Sequence, residues 1–223
     1  MIEASYIWVI LWAGLVGMDL ATAPQVMIAR PIVAGSVTGF LLGDFLGGFF
    51  VGAALEMFAF DLLPVGASRY SDFGVGAVAA AVAIAGSPTE FALGIAVAVG
   101  LVTAWAAGIG IHIVRKANTR EVEEVRLELD SGDAAVVNDL QLRGALRDLS
   151  RAMIVAVLGV LLAATVKAYF RPSTPAAVTL TVVAVGAALA AAGSGAVNCS
   201  GRAKGFRMFG LGVIGGLAWT VLL

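Results

Sequence analysis

The sequence predicts an all-α integral membrane protein, with about six to seven transmembrane helices or half-helices. Three observations carry this. Hydrophobic residues make up 60% of the 223-residue chain, more than a soluble domain of this size can hide from water. Charged residues are 13%, about half the roughly 25% usual in soluble proteins. Apolar runs near the length of one membrane crossing, about 20 residues, recur along the chain.

The first such run is 5–23. The N-terminal stretch "MIEASYIWVILWAGLVGMDLATA" lacks a basic leader region and contains Asp19, so it reads as a retained first span rather than a cleaved signal. The next, 31–63, is too long for one upright span. Its residues as a single helix would reach about 50 Å, against a hydrocarbon core of about 30 Å. Glycines at 35, 39, 43, 47, 48 and 52 weaken a single rod further. The spacing predicts two short legs with a break near "GDFLGG", a re-entrant or broken-helix hairpin that only protein or a water-filled cavity can shelter. Gly35, Gly39, Gly43 and Gly47 fall on one helix face and predict close backbone approach.

Residues 73–87 are short for a span, whereas 91–114 qualify. Polarity then changes abruptly. Residues 115–151 hold seven of the 14 basic residues and predict one or two water-facing helices around the turn "DSGD". Within them, Leu140, Leu142, Leu146 and Leu149, with Arg143, Arg147 and Arg151 on a separate stripe, predict a helix lying on the membrane surface before the next span. Apolar segments 152–170, 175–197 and 208–223 follow. The chain thus divides into a membrane region, 1–114, a charged loop, 115–151, and a second membrane region, 152–223. Basic residues in 115–151 and at Arg202, Lys204 and Arg207 place those two loops in the cytoplasm.

Several chemistries are disfavoured. Net charge is −1, which offers nothing to nucleic acid. One cysteine, Cys199, and one histidine, His112, exclude an internal disulfide, a multi-cysteine or multi-histidine metal site and an HExxH motif. No cofactor or metal is expected. No phosphate-binding GxxxxGK[ST] or nucleophile-elbow GxSxG motif is present, so an enzyme is disfavoured.

The candidate site lies in the glycine-rich stretch and its flanks. Arg30, Asp44, Glu56, Asp61, Arg69 and Asp72 punctuate otherwise apolar sequence, and a carboxylate at mid-bilayer costs at least about 2.5–3.5 kcal/mol. Two readings stay open. The acids pair with Arg30 or Arg69, with Asp44 capping the second leg. Or they line a polar site, with Gln25, Ser68, Asp72 and Asp19, where acceptors and an amide suit a sugar. A proton or cation relay would use the same residue types.

The motifs resemble a known family. Arg30-Pro31, Leu42-Gly43-Asp44, Gly52-Ala53-Ala54-Leu55-Glu56, Val65-Gly66-Ala67 and Asp72 stand in the order and spacing of the IIC subunit of mannose/fructose/sorbose-family sugar phosphotransferase systems (PTS). The resemblance covers 1–115 throughout and the rest more loosely. Relatives often carry a glutamine where this chain has Met27. The resemblance implies a multi-pass permease subunit of the bacterial inner membrane that translocates a hexose or amino-hexose. It implies a membrane partner subunit, IID, in a hetero-oligomer among membrane lipid. Cytoplasmic IIA and IIB proteins would carry the phosphoryl group, so the chain itself would not be an enzyme. Gln25, Asp44, Glu56, Asp61, Ser68 and Asp72 are the candidate sugar-binding residues. Asp19, Arg30, Pro31, Gly43, Gly52 and Gly66 are the structural motif residues. A structural membrane scaffold and a stand-alone ion-coupled carrier are the alternatives.

Overall fold

A computed structural model describes residues 2–22, 24–60, 69–200 and 207. The described residues form eight helices and no strand. They are α1 (Ile2–Ala21), α2 (Pro31–Leu42), α3 (Phe45–Ala59), α4 (Phe73–Ile84), α5 (Thr89–Glu124), α6 (Arg126–Asp130), α7 (Ala134–Tyr169) and α8 (Thr174–Ser200). The expected last span, 208–223, lies outside the described residues.

The long apolar stretch breaks within "GDFLGG", as its glycines predict. Gly43 takes φ 78°, a left-handed conformation that glycine adopts without a Cβ penalty. Its amide donates to Phe40 O and that of Asp44 to Gly39 O at 2.8 Å, closing the end of α2. Asp44 then caps α3: its Oδ1 accepts from the Gly47 amide at 3.0 Å. Pro31 at the start of α2 sacrifices no helical hydrogen bond there.

Glycine packing holds the hairpin together, with a different set than helix spacing predicts. Gly35 and Gly39 on α2 face Gly48 and Gly52 on α3. A Cβ at Gly52 would lie 2.6 Å from Pro31 O and 2.9 Å from Ile32 Cα. Gly43 and Gly47 are not in this seam. Gly43 makes the turn, and Gly47 sits against the Asp44 carboxylate.

α4 is a half-helix of 12 residues, about 18 Å long, and cannot cross a bilayer alone. Protein shelters it: every residue from Gly74 to Ile84 is buried. It packs among α1, α2, α3, α5 and α7. Glycines let its neighbours close in, with Gly76 set against Gly100 and Ala104 of α5. Trp12 of α1 donates from Nε1 to Ala34 O of α2 at 3.2 Å. Outside this core the surface is apolar: Trp8, Phe40, Leu46, Trp105, Ile154, Leu158, Val182 and Val183 are exposed, as expected where lipid is the solvent.

α5 and α7 each run 36 residues, about 54 Å, well beyond a core of about 30 Å. Their overhanging ends form a hairpin closed by α6 and by Gly132 at φ 80°, with Asp133 capping α7 through the Ala135 amide. The "DSGD" turn is therefore where the sequence places it. The surface-lying helix over 140–154 is not formed, because α7 continues unbroken through it into the membrane. The arginine stripe passes from exposed Arg143 through half-buried Arg147 to buried Arg151. Arg143 Nη1 meets Glu121 Oε1 at 3.0 Å, Arg147 pairs with the same carboxylate and donates to Asn118 Oδ1 at 2.9 Å, and Arg151 is buried. α8 runs beside α5 in the same direction: Ala177 shares a cavity with Ala92, and Thr181 Oγ1 accepts from the Gly94 amide.

Two predictions follow from this packing. A Cβ at Gly48 would meet the Gly35 carbonyl and sit 2.8 Å from Gly39 Cα, so Gly48→Ala should lose about 1–3 kcal/mol through overpacking. Gly186→Ala, with nothing within 4 Å of its Cβ, should be neutral or gain up to about 1 kcal/mol. Thermal unfolding in detergent distinguishes them; equal effects would refute the seam. Hydrogen bonds from Arg147 and Arg143 hold the Glu121 carboxyl below its ordinary 4.5. Its contribution is therefore complete above that value and fades as pH falls through the lowered one. Limited proteolysis of the 125–133 tip should accelerate only in that acid window, and Glu121→Gln should raise cleavage at pH 7.

Candidate functional site

Two polar assemblies meet below the α5–α7 hairpin. The first is an open cavity of about 290 Å³. Asp19, Gln25, Arg30, Glu56, Tyr70 and Ser71 supply its polar lining, and Phe60 and Phe73 supply aromatic surface. The second is a buried ion network around Arg151, immediately behind the cavity wall.

The cavity is shaped by a loop, 24–30, that Asp19 holds. Asp19 Oδ1 accepts from the Val26 amide at 2.6 Å and Oδ2 from the Ala29 amide at 3.0 Å. Gln25 and Met27 sit at φ 58° and 69°, a conformation non-glycine residues rarely adopt. Such backbone persists only where its surroundings over-determine it, and it clusters at functional sites. Because the segment is a loop rather than a helix, Gln25 and Met27 both reach the cavity.

Arg30 ends this loop and folds onto Glu56, with Nη2 to Oε1 at 2.5 Å. Glu56 Oε2 accepts from the Ile32 amide at 3.2 Å, so α3 is tied to the start of α2. The arginine side chain is 52% exposed and the glutamate 10%. The pair is open on the arginine side, where screening keeps its net energy modest. Each carboxylate oxygen keeps a lone pair for another donor. Opposite them, Arg115 Nη2 donates to Tyr70 Oη at 2.8 Å, and its guanidinium lies 4.9 Å from the ring centroid, which fixes the Tyr70 side of the wall.

Behind Ser71, Asp72 is fully buried. Its Oδ1 caps α4 by accepting from the Val75 amide, and its Oδ2 accepts from Arg151 Nη1 at 3.1 Å. Arg151 also donates to Asp148 Oδ1 through Nε, to Ala107 O through Nη1 and to Gly17 O through Nη2. Thr22 Oγ1 donates to the second oxygen of Asp148. One guanidinium thus joins α1, the cap of α4, α5 and its own helix α7.

The structure brings Gln25, Glu56, Asp19, Arg30 and Pro31 to one cavity. Two expected ligands are elsewhere. Asp44 is at the other end of α3, about 18 Å from Glu56, and caps the helix. Asp72 is sealed behind the wall by Arg151 and also caps a helix. Each caps a helix, and neither lines the cavity that holds Glu56. Gly43 and Gly52 serve the hairpin, as above. Asp61, Ser68 and Gly66 lie outside the described residues. Sequence reasoning missed Tyr70, Ser71, Asp148 and Arg151. Among the described residues, no cluster of histidine, cysteine and carboxylate side chains could hold a metal ion.

Residues 4–200 match the family described as the sorbose-specific IIC component of the PTS system. A curated relative, the sorbose-specific EIIC component from Klebsiella pneumoniae, is 32% identical over 75 residues, which is 34% of this chain and 28% of that protein. A solved structure described only as a membrane protein superposes with TM-score 0.75 at 20% identity, covering 98% of this chain and 94% of its own. The mannose transporter ManYZ, solved by cryo-EM in complex with microcin E492, superposes with TM-score 0.64 at 19% identity and the same coverages. At such identities these two structures demonstrate a shared fold.

Arg151→Met should leave Asp72 and Asp148 buried and unpaired, a loss of about 3–5 kcal/mol. The triple variant Arg151→Met/Asp72→Asn/Asp148→Asn should recover part of it. Melting temperature in detergent measures both, and a harmless Arg151→Met would show that the network bears no weight.

Proposed function

The chain belongs to the family of sorbose-specific IIC components of the phosphotransferase system, and from that premise we propose that it carries a hexose or amino-hexose across the bacterial cytoplasmic membrane, paired with a IID subunit. It is a multi-pass membrane permease subunit. Phosphoryl transfer to the sugar falls to the cytoplasmic IIA and IIB proteins. The hairpin of α5 and α7 faces the cytoplasm in this reading.

The observation that carries the proposal is the convergence of Glu56, Asp19, Arg30 and Gln25 on one cavity inside an otherwise apolar protein. Sugar hydroxyls both donate and accept. The free lone pairs of Glu56 and Asp19 take hydroxyl protons, while Arg30 and the Gln25 amide donate to ring and hydroxyl oxygens. Phe60 and Phe73 offer apolar surface to the C–H face of the ring. Asp61 and Ser68 stay in the proposed site on the strength of sequence alone. The strained loop 24–30 and the glycine-seamed hairpin are the parts that would move with the sugar.

The Arg30–Glu56 pair also favours a second reading, in which the carboxylate serves only to hold α2 against α3. The two differ in outcome. With the IID partner bound, Glu56→Gln should weaken sugar binding about tenfold or more, the loss of one charged hydrogen bond, while the complex stays assembled. Asp44→Asn should lower stability and leave affinity unchanged. Calorimetric titration reads both. Unchanged affinity in Glu56→Gln, or full uptake by the swapped pair Arg30→Glu/Glu56→Arg, would establish the scaffold reading.

A further inference from the structure

At the opposite membrane boundary from the α5–α7 hairpin lies a second cavity, of about 390 Å³, between the α4–α5 turn, the end of α7 and the start of α8. Two cations stand on its rim, Lys167 and Arg171. Lys167 is not a loose surface lysine. Its Nζ donates to Ala85 O at 2.6 Å and to Val82 O at 3.3 Å, closing the C-terminus of α4. An ammonium has three N–H donors, so one remains. Arg171, just past α7, makes no hydrogen bond or ion pair among the described residues.

The surroundings add positive potential. Both α5 and α8 begin here, lining the cavity with Pro88, Ala92 and Ala177, and the first-turn amides of a helix carry partial positive charge. Among the described side chains, no carboxylate lines the cavity. Among the described groups, Asp44 is the carboxylate whose charge acts on Lys167, and it is engaged in capping α3. Below the charged rim the walls are apolar, including Ile95, Val166 and Phe170. α8 continues from there with an exposed stripe of Val178, Val182, Val185 and Leu189.

We propose that this cavity binds the headgroup of an anionic phospholipid. The phosphodiester lies between Lys167 and Arg171, and the acyl chains follow the apolar wall onto α8. A free phosphate would share the headgroup chemistry but would gain nothing from that wall. The bound lipid would clamp the α4–α5 turn against α7 and α8, away from the sugar cavity, so the inference is independent of the sugar reading.

The test is titration of delipidated full-length protein with dioctanoyl-phosphatidylglycerol, read by native mass spectrometry and by melting temperature. Binding should exceed that of dioctanoyl-phosphatidylcholine. Arg171→Gln, which leaves the α4 cap intact, should weaken it about fivefold, the usual contribution of one basic residue at an anionic lipid surface. Lys167→Arg should retain binding and Lys167→Gln should lose it. Arg126→Gln, at the hairpin tip, should change nothing. Equal binding of the zwitterionic lipid, or unchanged affinity in Arg171→Gln, would overturn the proposal. Displacement of the lipid by inorganic phosphate at equal concentration would also overturn it, in favour of a soluble anion site.

Discussion

One guanidinium sets the geometry on which the rest of this molecule depends. Arg151 is buried among helices in a protein whose outside is lipid, where a lone charge would be expelled or neutralised. It is kept by four hydrogen bonds, to Asp72, Asp148 and the carbonyls of Gly17 and Ala107. Those partners belong to separate helices. The charge can be satisfied only when α1, α4, α5 and α7 are all in place, so the network specifies one arrangement of otherwise interchangeable apolar rods.

The network also determines where the cavity wall stands. Asp72 is both the partner of Arg151 and the cap of α4, and Tyr70, Ser71 and Phe73 beside it line the cavity. Asp19 does the same work on the other side by holding the loop that carries Gln25 and Arg30. Fixed carboxylates inside lipid thus have two distinct uses here. Some organise backbone and are sealed from any opening, as Asp72 is. Others, as Glu56 is, keep acceptor capacity facing an opening.

Local chemistry was legible in the sequence and long-range pairing was not. The break at Gly43 and the capping role of Asp44 were readable because turn glycines and cap carboxylates act on neighbours three or four residues away. The family resemblance rested on the same local motifs. The seam of Gly35 and Gly39 against Gly48 and Gly52 was only half readable, since which glycine faces which depends on the turn between the legs. Arg151 was misread because its helical stripe with Arg143 and Arg147 looks uniform along α7, yet the helix passes from water into protein between them. Nothing near Asp72 in sequence announces a partner 79 positions on. That Gln25 and Met27 both reach the cavity depends on the loop conformation of 24–30, which no periodicity in the sequence announces.

The uninterrupted course of α7 has a mechanical consequence. From the Asp133 cap to Phe170 it runs as one helix without a proline, and Gly159, its glycine within the membrane, is packed against Ala79 and Thr103, so the helix links the hairpin tip to the far boundary through Arg151. A displacement of the tip is thereby coupled along one continuous element to the far end, where Lys167 grips the last carbonyls of α4.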